Sequence, residues 1–311
     1  LHFDDAGSYR VWNDPADRAG DDRALSLRLG IYYRDHLNQR QLRRDHQELR
    51  QLLEQSRQRE QAQRREQEQR LKDTVGADEL QQEADAILCQ ASPDRDSIDK
   101  AQKLYQRAKR LRRSIPLIEE RLIHHDRRLA LIEGSESFLS DLMQADWDEA
   151  DARKRQLLEL KVELEELLTP RRKRRRNGPP TGQPQPLEIR SWDGLLIQVG
   201  RNHRQNEWIS LRQARAGDLW FHAQECPGSH VVLKASAAAA TDEDLQLAAD
   251  LAAWFSRAKG NQRVPVVMTA VEHLQRIPGT APGTVRHRQA ELVWAEPDRA
   301  RRNLDARKPL A

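Results

Sequence analysis

The strongest constraint on what this chain can fold into is a pair of interleaved seven-residue repeats. Ala101, Ala108, Ile115, Leu122 and Leu129 form one series, and Leu104, Leu111, Ile118, His125 and Ile132 follow three positions behind. Apolar side chains at the a and d positions of a heptad make a stripe that is buried only against another helix. The pattern predicts a long coiled-coil helix with one polar interruption, His125, at a position suited to setting register. His124 points to a different helix face, so the pair is not read as a shared metal site. Pro116 lies beside the seam, and because the register continues across it the expectation is a kink and not a break.

The seam needs a partner helix. From about Leu25 the pattern is helical, with Leu42, Leu49 and Leu52 at coiled-coil spacing. Between Glu54 and Arg70 the only apolar side chain is Ala62, which predicts a helix polar all round, held by opposite charges and largely solvated. Leu157, Leu160, Leu164 and Leu167 predict a third helix. Ser92-Pro93-Asp94 and Glu133-Gly134-Ser135 read as turns, so residues 25–169 are expected to fold back as an antiparallel arm. Residues 1–24 carry turn chemistry at Asn13-Asp14-Pro15 and Gly20 and are too short to bury a core. With Leu1 at the start, they are expected to be the remnant of a preceding domain in a longer chain.

Composition agrees with an arm plus one compact domain. Of 311 residues, 37% are hydrophobic and 33% charged, against about 45–50% and about 25% in ordinary globular domains. One large core is therefore excluded. The net charge is only +4, but it is uneven. Thr169-Pro170 stops the third helix, and Arg171, Arg172, Lys173, Arg174, Arg175 and Arg176 make an unbroken basic patch. A linker rich in Pro, Gly and Gln runs on to Pro186, so 170–186 reads as a basic connector. Two cysteines, Cys89 and Cys226, give no disulfide framework. With neither a signal-like segment nor a long apolar run, the expectation is a cytoplasmic chain that meets no membrane.

The compact domain is expected over 187–300, with 301–311 as a tail. Strand Leu187 to Arg190, a two-residue Asp193-Gly194 loop and strand Leu195 to Val199 predict a hairpin. Asp242 is the expected cap of a helix whose Leu245, Ala248, Ala249, Ala252 and Phe255 form one face, ended at Gly260. Strand Val264 to Thr269, the Pro282-Gly283 turn and strand Glu291 to Ala295 follow. In 218–234, strands Leu219 to Phe221 and Val231 to Leu233 flank a tight Pro227-Gly228 connection, with His222, Ser229 and His230 inside or beside them. Polar side chains there imply a defined network or a ligand surface. The predicted class is α+β, a long antiparallel helical coiled coil followed by a compact, mostly antiparallel α+β domain.

Several motifs occur in a fixed order. They are Val199-Gly200-Arg201-Asn202 with Gln205-Asn206; Asp218-Leu219-Trp220-Phe221-His222-Ala223; Pro227-Gly228-Ser229-His230-Val231; Val264-Pro265-Val266; and Pro282-Gly283-Thr284-Val285. Together with Ala101 to Tyr105 through Lys109, the series resembles the NFACT family, to which bacterial RqcH and eukaryotic NEMF belong, over roughly residues 25–300. Thr280-Ala281 stands where family members usually carry a lysine, which removes one basic contact. Nothing in these residues resembles the family's N-terminal NFACT-N domain or helix-hairpin-helix module, so no residue of its tail-adding machinery carries over.

The resemblance implies a non-enzymatic factor of ribosome-associated quality control, without cofactor or metal, that positions partners so that stalled nascent chains are extended by the ribosome without mRNA. Its implied partners are the large ribosomal subunit carrying peptidyl-tRNA, ribosomal RNA, and tRNA (alanyl-tRNA in bacterial relatives). It also implies that Arg201, Asn202, Gln205, Asn206, Asp218, Trp220, His222, Pro227, Gly228, Ser229 and His230 contact nucleic acid.

Other readings compete. His222, Cys226 and His230 at i, i+4 and i+8 invite a metal or a thiol nucleophile, but zinc wants four ligands and a Cys-His pair needs a third group. A structural network exposing part of its surface to RNA is preferred. Trp208 and Trp220 either stack on bases or fill the core. Residues 171–176 either contact phosphate or form a solvated linker. At the level of the whole chain the alternative is a coiled-coil scaffold or a fibronectin-binding type of adhesion protein, against which the residues show no export signal.

Overall fold

A computed structural model describes residues 2–3, 9–10, 22–92, 94–144, 150–168, 183–236 and 238–306. Strands β1 (His2–Phe3) and β2 (Tyr9–Arg10) pair antiparallel. The arm is built from α1 (Asp22–Asp73), α2 (Gly76–Leu88), α3 (Arg95–Gln144) and α4 (Ala150–Leu168). At 50 residues, α3 is about 75 Å long. Both α1 and α2 pack along it, and α4 joins at the base.

The predicted seam is present. Ala101, Ala108, Ile118 and Ile132 are buried and the other members of both series are half-buried. Pro116 sits inside α3 on its exposed side without ending the helix. At the base, Leu49 and Leu53 meet Ile132, Phe138, Leu139, Leu142, Leu157, Leu160 and Leu164 in one cluster.

Three expectations for the arm are corrected. The polar stretch of α1 is docked, not solvated all round: Glu60 and Gln67 are only 6% and 7% exposed. They lie at heptad steps between buried Leu53 and Thr74, so the seam continues in polar side chains. Glu60 accepts from Arg128 Nε at 2.6 Å and meets His125 Nδ1 at 2.8 Å. Second, Glu133-Gly134-Ser135 is no turn, because α3 runs through it and Ser135 Oγ donates to Leu131 O at 2.9 Å. Third, a break at Thr74-Val75, where Thr74 Oγ1 donates to Leu71 O, separates α1 from α2.

The compact domain contains β3 (Leu187–Arg190), β4 (Leu196–Val199), α5 (His203–Glu207) running into a π-helical turn (Trp208–Arg212), β5 (Leu219–Ala223), β6 (Val231–Leu233), α6 (Asp242–Trp254), β7 (Val264–Ala270), β8 (Gln275–Arg276), β9 (Val285–Arg286), β10 (Glu291–Ala295) and α7 (Pro297–Asp305). Six strands form one antiparallel sheet in the order β10-β7-β5-β6-β4-β3. One face buries Ile197, Val199, Phe221, Val231, Leu233 and Val266 against α6 and α7. The opposite face carries a smaller cluster, Ile209, Trp220, Val232, Val267 and Leu274, covered by the π-helical turn and the Val271–His273 turn.

Local details depart from the sequence reading. The β3–β4 loop has three residues, since Ser191 N donates to Leu195 O at 2.8 Å and Gly194 takes φ +87. Thr241, not Asp242, caps α6, in a capping box with Asp244. Helix α6 stops at Trp254, well before Gly260, because Phe255 O and the Arg257 amide pair with the Ser229 amide and Pro227 O at 2.8 and 2.9 Å. Phe221 faces Val231 across the ladder, so residues 222–230 form a broad connection and not a tight one. Ala300 and Leu304 are buried in the core, so α7 belongs to the domain and does not begin a tail.

Candidate functional site

The motif residues converge on the short helix α5. An α-helix begins with backbone N–H groups that lack internal partners. Here the Asn202 side chain accepts from the Gln205 amide at 2.8 Å, and the Asn202 carbonyl accepts from the Asn206 amide at 2.9 Å. Asn206 then reaches across the fold: Oδ1 accepts from the His230 amide at 3.0 Å and Nδ2 donates to Gly228 O at 3.4 Å. Gly200 N donates to His230 O at 3.0 Å.

Two glycines are required by this knot. A Cβ on Gly200 would lie 2.8 Å from the Asn206 amide nitrogen and also overlap its side chain. Gly283, at φ +77, would place a Cβ 2.9 Å from His203 O and 3.0 Å from Asn206 Cβ. Three motifs that are far apart in sequence therefore meet around one asparagine.

The remaining α5 amides are satisfied by the arm. Arg204 N donates to Glu163 Oε1 at 3.2 Å. Gln205 Oε1 accepts from the Arg201 amide at 2.8 Å while its Nε2 donates to Glu159 at 2.8 Å. Asn202 Nδ2 also donates to Glu159 at 3.4 Å, and Arg204 pairs with Glu166. From α3, Leu131 O accepts from His203 Nε2 at 3.2 Å, and the Phe138 ring meets the His203 ring edge-on at 5.1 Å. A Cβ on Gly134 would lie 2.9 Å from the His203 ring. The glycine read as a turn signal is instead the gap into which His203 packs. Lys259 to Asp141 at 2.8 Å and Arg257 to Glu133 complete the contact.

Burial sets the charge state of this joint. It pushes the Glu163 carboxyl up to about 8 against the pull of Arg204, and Asp141 up to about 6 against Lys259 and Arg201. It pushes His203 down to about 4, with the Leu131 carbonyl opposing.

Most residues expected to contact nucleic acid lie inside the protein. Arg201, Asn202, Gln205 and Asn206 are at most 4% exposed. Asp218, Trp220, Gly228, Ser229 and His230 are buried, and His222 and Pro227 half-buried. Apart from half-buried His222 and Pro227, these side chains form an architectural knot.

Asp218 accepts from Lys234 Nζ at 3.1 Å, Ser236 Oγ at 2.6 Å and the Arg215 amide at 2.9 Å. Burial pushes its carboxyl up, but these bonds outweigh it and hold the group below its ordinary value. Trp220 stacks on His222 at 5.6 Å and meets His230 edge-on at 5.0 Å, while Ser210 Oγ bonds His230 Nδ1 at 2.8 Å. Burial pushes His222 down to about 4 and His230 well below its ordinary value, so the cluster is neutral at pH 7.

Cys226 is packed toward the other face of the sheet, against the α6 core, so His222, Cys226 and His230 do not converge. Among the described residues no three His, Cys, Asp or Glu side chains gather to hold a metal. Trp208 packs on the Trp220 cluster. Residues 171–176 lie outside the described residues.

The exposed features are elsewhere. From Lys100 to Ile118 the chain carries Lys100, Lys103, Arg107, Lys109, Arg110, Arg112 and Arg113 and no carboxylate, and Lys103, Arg107, Lys109, Arg110 and Arg113 are exposed on α3. The missing acids were visible in the sequence but hidden under the heptad pattern. Trp192, Leu292 and Trp294 are 67%, 59% and 61% exposed, with no such signal, because alternation alone does not say which strand lies at a sheet edge. Among the described residues no helix is long and apolar enough to cross a membrane.

The family described as NFACT protein RNA binding domain matches residues 187–288. A Bacillus subtilis protein named Rqc2 homolog RqcH is 29% identical over 219 residues, covering 70% of this chain and 36% of that protein. Proteins of the same name from Streptococcus pneumoniae serotype 2 and Streptococcus suis are 28% and 29% identical, covering 91% and 88% of this chain and 54% and 52% of theirs. The chain thus spans about half, or less, of the length of these curated relatives. The solved C-terminal part of the fibronectin/fibrinogen-binding protein from Streptococcus suis superposes with a TM-score of 0.67 at 25% identity, covering 84% of this chain and 98% of that one.

Proposed function

The chain belongs to the NFACT family and carries its RNA-binding domain, and on that premise we propose that it is the ribosome-engaging part of an RqcH-like quality-control factor. In this reading it binds large ribosomal subunits with a stalled peptidyl-tRNA and holds tRNA for tailing of the nascent chain. The ribosome makes the peptide bond; this chain positions partners in the cytoplasm and performs no chemistry itself.

The observation that carries the reading is the pairing of a cationic band with a fixed lever. Lys103, Arg107 and Arg110 lie at i, i+4 and i+7 on one face of α3. Lys100 and Arg112 are turned to Glu83 and Asp78 of α2 at 3.0 and 2.7 Å, which leaves the outer face basic. The joint on α5 couples that band to the RNA-binding domain. A rigid arm with phosphate-binding side chains at one end and an RNA-binding domain at the other suits a large RNA-rich particle.

Cosedimentation with purified large subunits tests this. The chain is expected to pellet with subunits at about 50 mM salt and to release by about 300 mM. Failure to pellet at low salt overturns the reading. A second reading rests on the likeness to the Streptococcus suis fibronectin/fibrinogen-binding protein. Saturable binding to immobilised fibronectin that persists in excess RNA would favour it.

A further inference from the structure

The open face of the sheet is only partly covered. Leu292 and Trp294 are the outward residues of edge strand β10, since Val293 and Ala295 pack toward α6. The ladder places Leu292 opposite Val267, which faces half-buried His222, and Trp294 opposite half-buried Pro265. Gln224 N extends the last row by donating to Pro265 O at 2.9 Å. An indole, a proline, an imidazole and a leucine thus form one shelf.

The other end of the face is rimmed by exposed Arg286, His287 and Arg288. Thr269 Oγ1 donates to Arg288 O at 2.9 Å, and the His287 ring lies 6.0 Å from Trp220. From the Trp220 row to the Gln224 row the face runs about 13 Å. Strand alternation puts Glu291 on the α6 face, and Glu296 meets Arg263 at 3.6 Å and Arg299 at 4.0 Å; exposed Glu272 stands in the Val271–His273 turn, whose His273 carbonyl accepts from the Arg288 amide at 3.2 Å. Exposed Glu225 lies beyond Gln224, at the end away from the arginines.

We propose that this shelf takes a short unpaired stretch of RNA, with one base stacked on Trp294 and phosphates farther along the strand held by Arg286 and Arg288. The assignment rests on the RNA-binding reading of the domain and adds a place and a strand class to it. An exposed aromatic face accepts any base, whereas a duplex keeps its bases stacked inside and offers none. A cationic rim beside a flat apolar shelf complements a nucleotide strand, with its phosphates and π faces, better than an acidic or purely apolar peptide.

The test uses the full chain, a labelled oligouridine of about ten nucleotides, and fluorescence anisotropy at low salt. Trp294→Ala is expected to weaken binding roughly ten-fold, while Trp192→Ala, an equally exposed indole beyond β3 at the opposite sheet edge, leaves it within about two-fold. Arg286→Ala with Arg288→Ala should weaken binding and flatten its salt dependence. A duplex of equal length should compete poorly. Both tryptophans being exposed, neither substitution is expected to shift the melting temperature by more than about 2 °C.

If Trp294→Ala binds as the parent does while the arginine variant is weakened, the shelf is overturned and RNA binding by the domain stands. If the parent chain ignores oligouridine but pellets with large subunits, the shelf is overturned and the ribosome reading stands. If it does neither, both fall. Loss of subunit binding by Trp294→Ala with oligouridine binding intact would assign the shelf to a ribosomal protein and also overturn the proposal.

Discussion

Trp220 and Trp294 lie on the same face of the same sheet, yet one is 2% exposed and the other 61%. Trp220 is covered by the π-helical turn and hemmed by His222, His230 and His287. Trp294 stands on the edge strand, where nothing described covers it. The recognisable motif surrounds the buried indole, and the bare one sits in sequence that signals nothing. The motifs identify this fold because they are steric necessities of its interior. The surfaces left for a partner are made by residues under no such constraint.

That contrast can be broken at its buried end first. Gly200→Ala forces a Cβ into the Asn206 side chain and backbone, and is expected to cost about 3 kcal/mol or more in urea unfolding. Gly260→Ala meets open space and should stay within about 0.5 kcal/mol. Equal effects would mean that the knot yields easily and that its glycines have another purpose.

Next comes the polar seam of the arm. Glu60→Ala leaves Arg128 and His125 half-buried without their carboxylate, and should cost about 3 kcal/mol of arm stability. Burial pushes the Glu60 carboxyl up, but the His125 and Arg128 bonds win and hold it below its ordinary value. Its stabilisation is therefore present above pH 4.5 and lost as pH falls through the lowered folded value. A loss confined to high pH would contradict the pairing.

A smaller effect separates the joint from the rest of the domain. Glu163 is held near 8 when folded against 4.5 in the open chain, so the folded state keeps a proton that the unfolded state releases. Its contribution is greatest below pH 4.5 and disappears as pH rises through about 8. His203 and His222 act in the opposite sense: their folded values near 4 make stability fall as pH drops below 6.5. Arm-to-domain distance, read by paired spin labels, should hold between about pH 6.5 and 8 and broaden by pH 9. Glu163→Gln should remove the broadening, and if it does not, Glu163 is not the responsible group.

Much of the scaffold was legible before the structure. The a/d seam, the leucines of α4, the apolar face of α6 and the strands around the Pro227-Gly228 connection are periodic, and periodicity survives translation into sequence. What was missed is non-periodic or polar. Glu60 and Gln67 occupy seam positions that an apolar count cannot see. Gly134 reads as a breaker unless it is known that His203 packs against it. Asn202, Gln205 and Asn206 resemble exposed polar side chains, and only the fold shows that their partners are helix amides, a glycine and the arm's carboxylates. The motif residues read in the sequence as a nucleic-acid surface, whereas the fold buries most of them.

The most direct test of the account is the salt dependence of large-subunit binding by the chain and by a variant with Lys103→Ala, Arg107→Ala and Arg110→Ala together. The slope of log affinity against log salt should shrink by about 2 units, with the melting temperature unchanged, because all three side chains are exposed on one face of α3. An unchanged slope and affinity in the variant would contradict a ribosome-engaging arm.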